Sequence, residues 1–298
     1  MKKFFTGFFL LLTAWVHGQP GLVVSDIATT QLRVMENSRS LDSTARAKLF
    51  IDSIYTPYRQ FWNGYLGEGP DVAGWLDGAM SSLDQWKAKN AAISSTRLVK
   101  ELNEVAGQLR KMTGYQAYGN WYIVFGPAWT DLGGLGDFAM LIDLAHKSNN
   151  TNEQLLKMFP HELTHQLMTN VNKNKDTTAM GPIIGEGFAV WMNRYYWKDK
   201  YTLAENLGYT EEELATCDKN LDKLKQFLVT NKYATDPQMI DAFRNRGTKL
   251  NPQLPGAIGY YLGYKIIEAY INKFGKNAWK DVFTKPPSVI YEQSGFAN

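Results

Sequence analysis

The segment from His161 to His165 restricts the local structure of this chain more than any other part of the sequence. It reads His-Glu-Leu-Thr-His, so its two histidines are four residues apart. A helix brings side chains at that spacing within a few ångströms of one another on one face. Glu162 is then rotated by about 100° from His161 and lies beside the pair. The segment therefore predicts a helix whose two imidazoles converge on one point.

Two imidazoles that converge in this way are typical of a zinc site, in which each nitrogen lies about 2.0–2.1 Å from the ion. The alternative is a surface helix that carries these residues by chance. Outside the first eighteen residues, the chain has only one histidine besides His161 and His165, namely His146. Because the scarce histidines are concentrated here, the sequence favours a metal site that binds one zinc ion per chain.

A catalytic zinc ion needs a third protein ligand and an open position for water. No histidine follows His165, so this ligand should be a carboxylate. Three downstream carboxylates stand in polar or charged segments typical of a solvated surface: Asp176, Asp199 and Glu205. Glu186, in contrast, is the lone charge between Gly181 and Trp191, where a carboxylate needs a partner. Glu186 is the predicted ligand, and the alternative is an acid placed at a helix N-terminus by the helix dipole.

This set of residues predicts hydrolytic chemistry. Zinc lowers the pKa of a bound water, and Glu162 would take up the proton of that water as general base. We therefore expect a zinc peptidase that hydrolyses the peptide bonds of a peptide or protein substrate. The alternative function is that of a non-catalytic zinc-fold accessory or binding protein of the cell envelope.

The motif from His161 to His165, separated by twenty residues from Glu186, resembles the gluzincin group of metallopeptidases. The segments 185–189 (Gly-Glu-Gly-Phe-Ala) and 259–264 (Gly-Tyr-Tyr-Leu-Gly-Tyr) resemble more a family of predicted bacterial zinc proteases that also includes gliding-motility lipoproteins. The resemblance covers about residues 120–275, and only the zinc motif in it is highly specific.

The gluzincin resemblance implies that His161, His165 and Glu186 bind the metal and that Glu162 is the base. It also implies that a strand before the motif helix holds the substrate by backbone pairing, and the candidate is Phe138–Leu144.

Two features of this resemblance concern residues around the metal. Gluzincins use a tyrosine or histidine to stabilise the oxyanion, so Tyr260 or Tyr261 is expected to be catalytic. The alternative for Tyr260 is packing, because it begins an apolar stripe at helical spacing that continues through Tyr264. The thermolysin pattern also has an aspartate that orients a histidine, and Val190 occupies that position here. The residue that orients His161 is therefore left open.

Residues 1–18 have the pattern of an export signal, with Lys2 and Lys3 followed by an apolar core. We expect cleavage after Gly18 and a secreted or periplasmic protein without stable membrane insertion; the alternative is an N-terminal anchor that stays attached. No cysteine lies near this segment, so a lipid-anchored protein is not expected. Whether residues 19–45 form an inhibitory pro-segment is open.

The composition excludes one class of partner. The net charge is +3 for the whole chain, and it falls to +1 without the two signal lysines, so nucleic-acid binding is not expected. Cys217 is the only cysteine, so packing and not an internal disulfide must hold the chain together.

The hydrophobic pattern predicts an α+β, mostly helical, zincin-like fold in a single unit over residues 19–298. We expect a helical part at 19–115, a small sheet and the motif helix at 116–170, and a helical C-terminal part at 171–298. The sheet should contain strands at Trp121–Phe125 and Phe138–Leu144, joined by a flexible glycine-rich link, 131–136. The apolar spacing from Leu98 to Met112 predicts a helix that Gly114 ends, and a further helix is expected over residues 210–230. Thr151 and Gln154 predict the capped start of the helix that carries the motif, and this helix must kink or restart at Pro160.

Overall fold

In a computed structural model of the chain, the structure describes residues 21–136, 139–172 and 176–297. The predicted export signal and Phe138 lie outside the described residues. The described part is mostly helical and contains one four-stranded sheet, which confirms the α+β class.

The first part of the described chain is a helical layer that begins with one strand. Its long helix α6 confirms the prediction from the spacing of Leu98 to Met112, and Gly114 ends it in a left-handed conformation with φ 82°. The elements are β1 (Leu22–Asp26), α1 (Ile27–Asn37), α2 (Ser43–Phe50), α3 (Arg59–Tyr65), α4 (Gly69–Met80), α5 (Leu83–Ala92) and α6 (Ser95–Thr113).

Two parts of this layer were not expected from the sequence. Residues 22–37 form β1 and α1, so they are an integral part of the sheet and of the helical layer. The segment 66–75 resembles a loop because it contains three glycines and a proline, yet α4 already begins at Gly69. Pro70 lies in the first turn of α4, where a proline costs no helical hydrogen bond.

The sheet has the strand order β1-β2-β4-β3. Strands β1, β2 (Gly119–Val124) and β4 (Ala139–Asp143) are parallel, while β3 (Leu132–Gly136) runs antiparallel to β4. The predicted flexible link is therefore wrong, because that segment is the strand β3. Since β4 lies between β2 and β3, it cannot pair with a substrate; the edge strand next to β4 is β3, and the other edge of the sheet is β1.

The motif helix α7 spans Asn152–Val171 and follows β4 after a short turn. Thr151 caps it: its hydroxyl accepts a hydrogen bond from the backbone N–H of Gln154 at 3.2 Å, as predicted. The helix continues through Pro160 without restarting. Because proline has no N–H, the carbonyl of Leu156 loses its helical partner at this point.

The C-terminal part is helical, as predicted. The one helix expected over residues 210–230 is two helices, which meet at Asn220 with φ −104° and ψ 15°. The elements are α8 (Met180–Trp197), α9 (Leu203–Leu207), α10 (Glu211–Lys219), α11 (Leu221–Asn231), α12 (Pro237–Arg244), α13 (Ile258–Phe274) and α14 (Pro287–Ser294).

Helices α8 and α13 cross at two glycines. A Cβ atom on Gly187 would overlap the backbone of Gly263, and a Cβ atom on Gly263 would overlap the carbonyl oxygen of Ile183. The two backbones are therefore in direct contact, which only glycine allows. This crossing brings Glu186 on α8 close to Tyr260, which lies one turn before Gly263 on α13.

Candidate metal centre and its cleft

Three predicted ligands from two helices meet at one point. The Nε2 atoms of His161 and His165 on α7 are 3.2 Å apart. Oε2 of Glu186 on α8 is 3.0 Å from Nε2 of His165 and 3.4 Å from Nε2 of His161. Among the described residues, this is the group of three metal-binding side chains that converges.

The spacing of these atoms fits a tetrahedral metal ion. Ligands about 2.0–2.1 Å from a tetrahedral ion lie about 3.3–3.4 Å from one another. The observed separations of 3.0, 3.2 and 3.4 Å are close to this value. Two Nε2 atoms that face each other can share only one proton between them, whereas both can bind a cation through their lone pairs. The donor set therefore fits zinc.

The charges of the metal-free site are strongly coupled. Burial opposes the charge of His165, but the carboxylate of Glu186 outweighs that effect and raises the pKa of His165 to about 9. Burial likewise opposes ionisation of Glu186, yet the two histidines hold its pKa well below the usual range. For His161, burial dominates and lowers the pKa. Without metal, a partly buried ion pair thus forms between Glu186 and His165, next to a neutral imidazole.

Within the described residues, His161 has no orienting partner for its second nitrogen. Its Nδ1 atom is buried and makes no hydrogen bond within the described part of the chain. Metal-binding histidines normally donate this N–H to a carboxylate or a carbonyl oxygen. The thermolysin pattern has an orienting aspartate at the position of Val190. This chain has valine there, and the Nδ1 atom of His161 is buried without a partner among the described side chains.

The three residues expected to be catalytic occupy different places. Glu162 lies in the cleft, and burial raises its pKa to about 8. Tyr260 also lines the cleft: its ring stacks parallel to that of His161 at 6.3 Å, and its hydroxyl interacts with Glu186. Tyr261 is fully buried, donates a hydrogen bond to Asp218 at 2.6 Å, and is not among the residues that line the cleft. The structure thus brings Tyr260, and not Tyr261, to the ligands.

The cleft has a volume of about 620 Å³, and one of its walls is the glycine-rich strand β3. The predicted site contained the three candidate ligands and, on its substrate strand, Met140, but it lacked Arg244 at the end of α12, which also lines the cleft. Arg244 could not be found from the sequence, because it lies 58 positions after Glu186 in a charged segment like many others. A second hollow of about 430 Å³ on the far side of Glu186 shares His165 and Arg244 with the cleft.

Fold and site together define an α+β protein with a candidate three-ligand metal centre at the crossing of its helices. The model of the family Gliding motility protein GldB matches residues 147–298, just over half of the chain. The chain therefore belongs to this family, and the match contains all three candidate ligands. No curated protein and no solved structure matches the chain.

Membership corrects the predicted function. The likeness to gliding-motility lipoproteins is confirmed, whereas nothing supports the gluzincin part of the resemblance. The prediction of a hydrolytic metalloprotease is wrong, because the family points to a non-catalytic component of the cell envelope, which was the alternative. The catalytic roles expected of Glu162, Tyr260 and Tyr261 depended on that prediction.

The family match also bears on location. The family is one of cell-envelope lipoproteins, which agrees with the expected export of the chain to the envelope. Within the residues that the structure describes, no helix combines the length and the apolar character needed to cross a bilayer.

Proposed function

We propose that this protein is a non-catalytic, metal-dependent binding component of the bacterial cell envelope that takes part in gliding motility. His161, His165 and Glu186 hold one zinc ion, and the cleft beside them binds an extended segment of a partner protein. The observation that carries this proposal is the position of the three ligand atoms, which have nearly the spacing of a zinc tetrahedron, beside the free edge of β3.

Held by His161 and His165 on α7 and by Glu186 on α8, a zinc ion would supply a positive centre that joins the two helices and could accept an oxygen or nitrogen of the partner. The protein residues do the rest. Tyr260 covers the imidazole of His161 with its ring, and Arg244 adds a positive charge to the wall of the cleft.

The strand β3 provides the surface along which a peptide can pair. The N–H of Asp143 donates a hydrogen bond to the carbonyl oxygen of Asp131. Two residues further along, Gly133 of β3 lies opposite Leu141 of β4. In an antiparallel pair, hydrogen-bonded positions alternate with positions that face away. Gly134 therefore directs its N–H and C=O away from β4, towards the free edge, where an extended peptide can accept and donate hydrogen bonds.

Metal content tests the first half of the proposal. We expect about one zinc ion per chain in the purified protein by elemental mass spectrometry, and its loss in Glu186→Ala. Glu162→Gln is the matched control, because Glu162 neighbours a ligand on α7 but is not itself one, and this variant should keep its zinc. Equal zinc content in Glu186→Ala and the unaltered protein would overturn the metal site.

Peptide selection tests the second half. A displayed library of unstructured ten-residue peptides should yield binders whose affinity falls when zinc is removed. Gly134→Pro should weaken the same peptides about tenfold or more, since it removes the outward N–H, whereas Gly134→Ala keeps that N–H and should bind normally.

Mass spectrometry of the selected peptides after long incubation separates binding from hydrolysis. Intact peptides are expected with the unaltered protein. Cleavage that Glu162→Gln abolishes would overturn the non-catalytic function, and failure to select any binder would remove the partner site.

A further inference from the structure

A second cleft lies on the helical layer, outside the residues that the family model matches. It has a volume of about 900 Å³ and is formed by α4, α5 and the loops that follow β2 and β4. Since β2 and β4 are parallel, these loops leave the same edge of the sheet. The crevice outside the carboxyl ends of parallel strands is the usual place for ligands in open sheets that carry helices.

The loop after β2 is held by a buried carboxylate, Asp143. One oxygen of Asp143 accepts hydrogen bonds from the N–H groups of Gly126 and Ala145, both at 2.8 Å. The other accepts from the N–H of Ala128 at 2.8 Å and from the hydroxyl of Tyr65 at 2.6 Å. These bonds fix Ala128 in a left-handed conformation with φ 60°, which alanine rarely adopts.

The result of this conformation is an exposed tryptophan. Trp129 follows Ala128 at the rim of the cleft and is 69% exposed, the most exposed large apolar side chain of the described chain. Among the described residues, its ring has one aromatic neighbour, Tyr65, which it meets edge-on with 5.9 Å between the ring centroids. A strained backbone at Ala128 and a buried carboxylate, Asp143, thus hold the indole of Trp129 in a solvent-exposed position. Backbone strain next to an exposed apolar side chain is a combination found at binding sites.

The opposite wall is backed by a stack of aromatic rings that belongs to the core: Trp86 is only 8% exposed, so Trp129 is the indole that is open to a ligand. Trp86 lies nearly parallel to Trp75, with 6.1 Å between the centroids, and to Phe125 at 5.1 Å. The floor is part of α4, where a Cβ atom on Gly74 or Gly78 would meet nothing within 4 Å. These helical glycines therefore relieve no clash, and their effect is to keep the floor of the cleft open.

The polar residues of the cleft limit the class of ligand. Asp71 and Lys89 supply one negative and one positive charge, and Ser82 and Gln85 supply neutral donors and acceptors. The near-zero charge does not favour an anion, and Lys89 disfavours a cation despite the indoles. An acyl chain would leave the polar groups unsatisfied.

We propose that this cleft, defined by Trp75, Trp86 and Trp129, binds a neutral saccharide, in addition to the metal-dependent function proposed above. Pyranose rings present flat faces of C–H groups that pack on indoles, while their hydroxyls lie in the ring plane and reach donors and acceptors at the rim. The exposed indole of Trp129, the mixture of aromatic and polar side chains and the balanced charge all fit a short oligosaccharide.

Calorimetric titration of the full protein with two neutral probes, chitotetraose and cellotetraose, tests the proposal. Saturable binding of at least one probe is expected. Trp129→Ala should weaken that binding about tenfold or more, whereas Phe274→Ala, which removes another exposed aromatic far along the chain at the end of α13, should not change it.

A second variant guards against loss of fold. Gly78→Phe places a large ring in the open floor at a helical position, where replacing glycine favours the helix. It should abolish saccharide binding with unchanged or higher thermal stability. Absence of binding to both probes, or binding unaltered by both cleft variants, would overturn the proposal. Saturable binding of phosphocholine or decanoate in their place would overturn the ligand class.

Discussion

The two clefts of this molecule are maintained in opposite ways. In the cleft beside Trp129, here called the aromatic cleft, the buried carboxylate of Asp143 accepts four hydrogen bonds from the protein itself. The polar group that holds this cleft is therefore satisfied within the folded chain. In the metal cleft, two imidazole nitrogens face each other and the Nδ1 atom of His161 has no partner among the described residues. The difference agrees with a first cleft that is preformed for its ligand and a second cleft in which the proposed ion would satisfy the two facing Nε2 atoms.

The largest effect is expected at the helix crossing beneath the metal cleft. Gly187→Ala forces α8 and α13 apart, so the free energy of unfolding should fall by about 3 kcal/mol or more, and zinc binding should fall with it. Urea unfolding and elemental analysis measure the two losses. Gly185→Ala, two residues away with open space around it, should be neutral or slightly stabilising. Equal stability of the two variants would show that the crossing is not tight.

A somewhat smaller loss is expected when the aromatic cleft loses its carboxylate. In Asp143→Asn one of the two oxygens becomes a donor that faces backbone N–H groups, so the free energy of unfolding should fall by about 2–4 kcal/mol. Tyr65→Phe removes a single hydrogen bond and should cost about 1 kcal/mol. Zinc content should stay normal in both, and its loss would mean that the two clefts are not independent.

Zinc binding should raise the free energy of unfolding by a smaller amount, and this effect should depend on the metal cleft alone. At a free zinc concentration of a hundred times the Kd, binding adds about 2.7 kcal/mol to the free energy of unfolding. Thermal unfolding with and without a chelator should show this gain in the unaltered protein and in Asp143→Asn. The same gain in Glu186→Ala would contradict the assigned ligands.

The sequence predicted the parts of the structure that depend on local spacing. The helix around Leu98–Met112, the cap at Thr151 and the convergence of His161 with His165 follow from helical periodicity, and the structure contains all three. Glu186 could be found because one carboxylate in an apolar run must have a partner.

The parts that depend on distant pairing were missed. The strand β3 contains three glycines, which do not favour strands, and it forms because β4 offers it an edge. Asp143 alternates with apolar residues, as a solvent-facing position would, but it is fully buried because Tyr65 and the loops after β2 and β4 enclose its carboxylate. No sequence pattern predicted that Trp129 would be exposed, because its exposure results from the conformation of Ala128.

The parallel pairing of β1 with β2 has a consequence for the order of folding. Val24 pairs with Trp121, so the sheet joins segments about a hundred residues apart and encloses six helices in one long loop. The edge strand β1 leaves the ribosome first but can find its place only after β2 has followed. Contacts of this range are slow to form, so we expect closure of the sheet, and not helix formation, to limit the rate at which this half of the molecule becomes native.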